Sequence, residues 1–139
     1  MTVRIQSAAN PLIPVRSWKE AMLRGMLLRC PSCGRGNLFR AYLKVADHCG
    51  TCGEDFSHQR ADDAPPYFTL LIASHILVPA IWTVEKVWKP SLLAHMAIWT
   101  PVTIGLCLAL LPVTKGAIVG VQWALRMHGF DPAHRDEAE

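Results

Sequence analysis

Two charge-free apolar runs, separated by seven residues, restrict the folds open to this chain of 139 residues. The first, Pro66–Val84 (PYFTLLIASHILVPAIWTV), has nineteen residues, and the second, Leu92–Thr114, has twenty-three. At about 1.5 Å per residue, the first spans roughly 28 Å as a helix, close to a hydrocarbon core of about 30 Å. Two buried helices of a soluble protein are the alternative, but so short a chain has too little polar sequence to cover both. The composition agrees with membrane spans: 51% of residues are hydrophobic and 18% are charged. The connection Glu85–Ser91 (EKVWKPS) is short enough to force an antiparallel hairpin with both chain ends on one side. Trp82, Trp88 and Trp99 lie near that turn and suit an interfacial belt, while Pro79 and Pro101 fall inside the runs, where membrane helices tolerate them.

The most specific chemical signal precedes the hairpin. Residues 30 to 53 read CPSCGRGNLFRAYLKVADHCGTCG. Cys30, Cys33, Cys49 and Cys52 form two C-x2-C pairs with the spacing of a four-cysteine zinc site. Each pair lets two thiolates converge on one ion from a single tight turn. Gly34 and Gly53 follow the second cysteine of each pair, where a positive φ would aim backbone N–H groups at the sulfurs. Gly36 supplies a further turn, LFRAYLKV alternates as short strands do, and Phe56 can pack beneath the site. Two disulfides, a redox dithiol and an iron–sulfur cluster are the competing readings. Disulfides need an oxidising compartment, and the first fifteen residues contain no continuous apolar core of the kind that would export them. Four thiolates close a zinc shell, so one structural zinc, folding the domain rather than catalysing, is the expectation. His48 and His58 are nearby as substitute ligands, and Cys107, inside the second run, reads as a small core hydrophobe.

Other polar residues are sparse. Ser17-Trp18-Lys19-Glu20 fits a capping box, with Ser17 as N-cap and Glu20 reaching back. Trp18, Met22 and Met26 then recur at helical spacing, which predicts a short amphipathic helix lying on the membrane surface or packed on the cysteine domain. His75 and His95 differ in depth by roughly 9 Å in the hairpin, too far to share a metal, whereas Glu85 and His95 lie at nearly one depth. Asp62 and Asp63 just before the first span, and Lys115 just after the second, are predicted to meet at the membrane face. Gly116 and Gly120, after the second span, form a G-x-x-x-G, a weak motif for close helix contact.

The organisation expected from these features is a disordered arm over 1–16, an amphipathic helix over 17–29 and a zinc-ribbon-like segment over 30–58. The membrane hairpin follows as a helix over 64–84, a loop over 85–91 and a helix over 92–114, with a helical extension over 115–129 and a polar tail over 130–139. The fold class is thus mainly α and membrane-bound, a two-helix transmembrane hairpin with a small N-terminal four-cysteine, zinc-ribbon-like β segment.

Taken together, CPSCGRGNLFRAYLKV, HCGTCG, RADDAPPYFT with His75 downstream, and PVTKGAIVGVQWALRMHGF resemble a bacterial family catalogued as domain of unknown function 983. The match covers about residues 24 to 130. The resemblance implies a small inner-membrane protein with two spans and a zinc-ribbon-like segment. It also implies a genomic setting among genes for cytochrome c oxidase subunits and assembly factors. The family brings no established activity.

Three functions follow as expectations. The first is an accessory or assembly protein that acts through contacts with another membrane protein, a respiratory oxidase subunit or assembly factor. The second is a membrane enzyme using Asp62, Asp63 or His75, and the third is a metal carrier. No nucleophile–base set or phosphate loop is recognisable, which weighs against the enzyme. A net charge of +3 gives no nucleic-acid footprint, and self-association is left open. Reduced thiolates favour the cytoplasm, so both termini are expected there, in the inner membrane. Arg60, Lys115 and Arg126 on the ends side, against Lys86 and Lys89 in the loop, point weakly the same way.

Overall fold

A computed structural model describes residues 15–61 and 63–130 of the chain. The disordered arm and the polar tail expected from the sequence therefore lie almost wholly outside the described residues, as does Asp62.

Helix α1 (Trp18–Met26) starts where Ser17 Oγ accepts from the Glu20 N–H at 3.5 Å. The reciprocal half of the capping box does not form, because the Glu20 carboxylate pairs with Arg24 one turn on. The helix stops in a Schellman arrangement. Leu28 N–H donates to Gly25 O at 2.9 Å and Arg29 N–H to Arg24 O at 2.9 Å, with Leu28 in the left-handed region at φ 60°. Strands β1 (Phe39–Ala41) and β2 (Lys44–Val45) then form a small antiparallel hairpin between the two cysteine pairs.

Helix α2 (Ala64–Trp88) begins with Pro65 near its first position, where a missing N–H costs nothing. It continues through Glu85–Trp88, residues expected in the loop, since nothing there resists a helix until Pro90 excludes the helical conformation of its predecessor. The turn is thus shorter than the seven residues read from the sequence. Helix α3 (Leu92–Ala124) is N-capped by Ser91 and runs 33 residues, about 50 Å. That exceeds a hydrocarbon core by about 20 Å. The excess lies beyond Lys115, and the expected span and helical extension are one unbroken helix.

The two halves of α3 meet different surroundings. Along its first two thirds it touches α2 through few buried residues, chiefly Thr69, Ala73 and Leu77 of α2. The Thr69 and Thr114 hydroxyls bond at 2.8 Å, and Thr114 also reaches the Pro65 carbonyl. Elsewhere the hairpin is bare: Leu70 is 64% exposed, Val78 64% and Leu93 81%. A continuous apolar surface of that size, on helices long enough to cross a bilayer, makes the chain a membrane protein.

Beyond Lys115 the helix is covered. Val119, Trp123 and Ala124 join Ala21, Leu38, Val45, Phe56, Ala61 and Phe130 in one buried cluster with Cys30 and Cys49. The side-chain amide of Gln122 pairs with both backbone groups of Arg60, fixing the segment that leads into α2. Arg16 donates to the Trp123 carbonyl at 2.9 Å and lies 4.1 Å from the Trp123 ring centre. The cysteine domain is therefore built on the protruding end of a membrane helix.

The seam between α1 and α3 consists of small residues. A Cβ on Gly116 would collide with the Gly25 carbonyl, and one on Gly120 with the Ala21 carbonyl. Ala21 and Gly25 are the buried residues of α1. Trp18 and Met26, the face expected on the membrane surface or on the cysteine domain, are exposed and do not enter this seam. Close backbone approach needs the smallest side chains.

Candidate metal centre

Each C-x2-C pair sits in the same backbone device. Gly34 N–H donates to Cys30 O at 2.8 Å, and Gly53 N–H to Cys49 O at 2.9 Å. Gly34 has φ 69° and Gly53 φ 74°, so each knuckle closes through a left-handed glycine that a β-carbon would strain. The turns then present N–H groups to sulfur, from Arg35 to Cys33 at 3.5 Å and from Thr51 to Cys49 at 3.4 Å. Gly36 lies against Cys49 Sγ so closely that a Cβ there would collide with it. Gly36 thus makes room for the second knuckle beside the first.

All five cysteines are free thiols. Cys30 Sγ lies 3.7 Å from Cys52 Sγ, and Cys33 Sγ 3.8 Å from Cys49 Sγ. All four ligand atoms fall within 4.8 Å of one another. Bonds of about 2.3 Å to a tetrahedral ion imply sulfur–sulfur edges of roughly 3.8 Å, so the quartet fits one metal ion. The spacing is far from the roughly 2.05 Å of a disulfide.

The thiols differ in acidity. The Gly36 and Arg35 backbone N–H groups lower Cys33 to about 6. Burial pushes Cys30 well up and also raises Cys52. For Cys49 burial acts upward, but the N–H groups of Cys52 and Thr51 leave it lowered. Cys30 and Cys49 are buried, Cys33 half-buried, and Cys52 faces solvent. His48 and His58 both approach Asp55, at 3.6 and 3.7 Å, instead of standing in for a cysteine.

The other residues singled out are scattered. His75 is exposed on the hairpin, its Nδ1 2.7 Å from Leu71 O on its own helix rather than bonded across to α3. It lies twelve residues, about 18 Å, along α2 from Asp63, so no common site joins them. Lys115 does not join Asp63 among the described ion pairs; its Nζ donates to the Leu43 carbonyl at 2.7 Å. The turn of the β-hairpin overhangs this end of the span, and Asp62, the other aspartate expected here, lies outside the described residues. Glu85 Oε2 and His95 Nε2 are 2.8 Å apart at the loop end of the hairpin. They border an open groove of about 530 Å³ that also includes Ile81, Trp99 and Thr103. Gln122, Tyr42 and Arg16 escaped the sequence reading. Gln122 and Arg16 act through backbone carbonyls, which leave no pattern in a sequence.

The sequence model of a family described as "Protein of unknown function (DUF983)" matches residues 39–123. No curated protein and no solved structure matches the chain.

Proposed function

The chain belongs to the DUF983 family, whose function is unknown, and from that premise we propose that it is a metal-stapled platform on a membrane hairpin, acting through contacts with another membrane protein. The observation that carries this reading is the sulfur quartet, with edges of 3.7 and 3.8 Å, built onto the protruding end of α3. Zinc, held by Cys30, Cys33, Cys49 and Cys52, suits an all-thiolate tetrahedral set. It would close its own coordination shell and supply folding energy to a domain too small to hold itself together otherwise.

Reduced thiolates favour the cytoplasm for the domain, with α2 and α3 crossing the bacterial inner membrane as a pair and both chain ends cytoplasmic. Reporter fusions at Glu139 and at Ser91 test this topology, and a periplasmic carboxyl terminus overturns it. The partner proposed is a respiratory oxidase subunit or assembly factor, a reading that rests on the family's genomic setting alone. With Gly116 and Gly120 occupied by α1, partner contacts fall to the bare faces of the hairpin.

Deleting the gene should lower assembled oxidase, or its haem or copper content, while leaving subunit synthesis intact. Complementation should require both the hairpin and the cysteines. Normal oxidase in the deletion strain removes the assembly role. A metal carrier is the second reading, favoured by the solvent-facing Cys52 thiol. It demands metal transfer to a competing chelator while the domain stays folded, whereas a structural ion leaves only on unfolding.

A further inference from the structure

The cysteine domain has an edge made of two strained turns with exposed apolar tips. Leu28 (φ 60°) and Leu43 (φ 58°) both occupy left-handed positions. Glycine or asparagine is the usual residue at such positions, in a helix C-terminal turn and in a tight hairpin alike. Each is preceded by a large exposed apolar residue: Leu27 is 62% exposed and Tyr42 57% exposed. Each is followed by an exposed cation, giving Leu27-Leu28-Arg29 and Tyr42-Leu43-Lys44. Two separate turns thus carry the same unfavourable pattern, a strained leucine within an apolar tip and a basic residue behind it.

The packing places both tips at one level. In α1 and α3, Ala21 faces Gly120 and Gly25 faces Gly116, so the helices are antiparallel and α1 runs toward the bilayer. By the same register Met26, the last residue of α1, falls level with Lys115, where the charge-free span ends, and Leu27 and Leu28 follow directly. The second tip is pinned to the same place. Lys115 Nζ holds the Leu43 carbonyl at 2.7 Å, and Tyr42 Oη donates to the Leu108 carbonyl at 2.6 Å. Leu108 is about 10 Å further into the span than Lys115. Its carbonyl lacks the usual helical partner, because residue 112 is a proline without an N–H. An unpaired carbonyl is costly in hydrocarbon, and the tyrosine hydroxyl satisfies it there.

We propose that Met26–Leu28 and Tyr42–Leu43 form a docking edge that lies in the interfacial layer of the same membrane its helices span, with Arg29 and Lys44 at the level of anionic lipid phosphates. The occupant is lipid: the edge is continuous with the bare apolar surface of the hairpin, and its charge complements an anionic leaflet. Burial of the leucines in the bilayer offsets the strain of their turns, and the domain is held at a fixed height and tilt instead of swinging on its tether. The inference rests on the membrane reading of α2 and α3.

The test uses the full metal-loaded chain in vesicles of phosphatidylcholine and phosphatidylglycerol that contain a phospholipid with a photoactivatable diazirine high on its acyl chain. Labelled residues are mapped by mass spectrometry. Labels are expected at Met26–Leu28 and Tyr42–Leu43 as well as within residues 66–114, and not on the knuckle residues Gly50–Gly53. Leu27→Asp should lower labelling of the first tip several-fold while metal content is retained. Labels confined to residues 66–114 overturn the docking edge and leave the membrane hairpin standing. Absence of label from residues 66–114 as well overturns both.

Discussion

Gly25 of α1 and Gly116 of α3 meet backbone to backbone, each lying where a β-carbon on the other would strike a carbonyl oxygen. Gly120 repeats the contact one turn on, against Ala21. The seam joins the amino-terminal helix to a membrane helix about ninety positions away in the chain. Gly25→Ala and Gly116→Ala should therefore each destabilise the cysteine domain by about 1–3 kcal/mol, the usual cost of overpacking. The readout is thermal loss of metal or protease resistance in detergent. A change within error for both variants would mean that the helices separate freely.

Cys33→Ser should abolish tight metal binding and unfold the domain while the hairpin stays inserted, because the ion contributes folding energy to the domain alone. Stoichiometric metal by elemental analysis is expected for the parent and not for the variant. A variant that keeps its metal would show that three thiolates suffice and that Cys33 has another role.

Metal uptake should release protons. With Cys30 and Cys52 raised, both thiols still carry their protons at pH 7, whereas Cys33, lowered to about 6, is mostly thiolate. Uptake at pH 7 should thus release about two to three protons per ion. The sign follows: protons compete with metal, so affinity rises with pH, and the contribution of Cys33 is lost as pH falls through about 6. Calorimetry in buffers of different ionisation enthalpy counts the protons, and a count near zero would contradict this ordering of thiol acidities.

Tyr42 and Pro112 should be energetically coupled through the Leu108 carbonyl. Tyr42→Phe removes the donor and should cost about 1–2 kcal/mol, the penalty of an unpaired carbonyl. In a Pro112→Ala background the helix regains its own N–H donor, so the same change should cost less. A double-mutant cycle on unfolding in detergent measures the difference, and strict additivity would show that Tyr42 is not the partner that this carbonyl requires.

Local chemistry was legible in the sequence. Two long charge-free runs can bury their backbone polar groups in a bilayer as helices, and two C-x2-C pairs followed by glycine have the spacing of metal knuckles. Those are properties of neighbours along the chain, so the membrane hairpin and the cysteine quartet need no knowledge of tertiary contacts. The helix boundary at Trp88 was missed because a charged residue marks the end of an apolar run and not the end of a helix.

What faces what was decided only by the tertiary structure. Gly116 and Gly120 read as a motif for close helix contact, and the structure supplies the partner helix, α1, since α3 runs on past Lys115 without a break. Lys115 is matched by depth to Asp62 and Asp63; its amine donates to the Leu43 carbonyl of a hairpin 72 residues away, and Asp62 lies outside the described residues. Trp18 and Met26 have the spacing of an apolar face, for the membrane surface or for the cysteine domain, and the seam with α3 takes Ala21 and Gly25. In each case sequence supplied a residue's chemistry, while the competition among partners within a few ångströms was settled by packing, and that competition depends on distances that spacing along one chain does not contain.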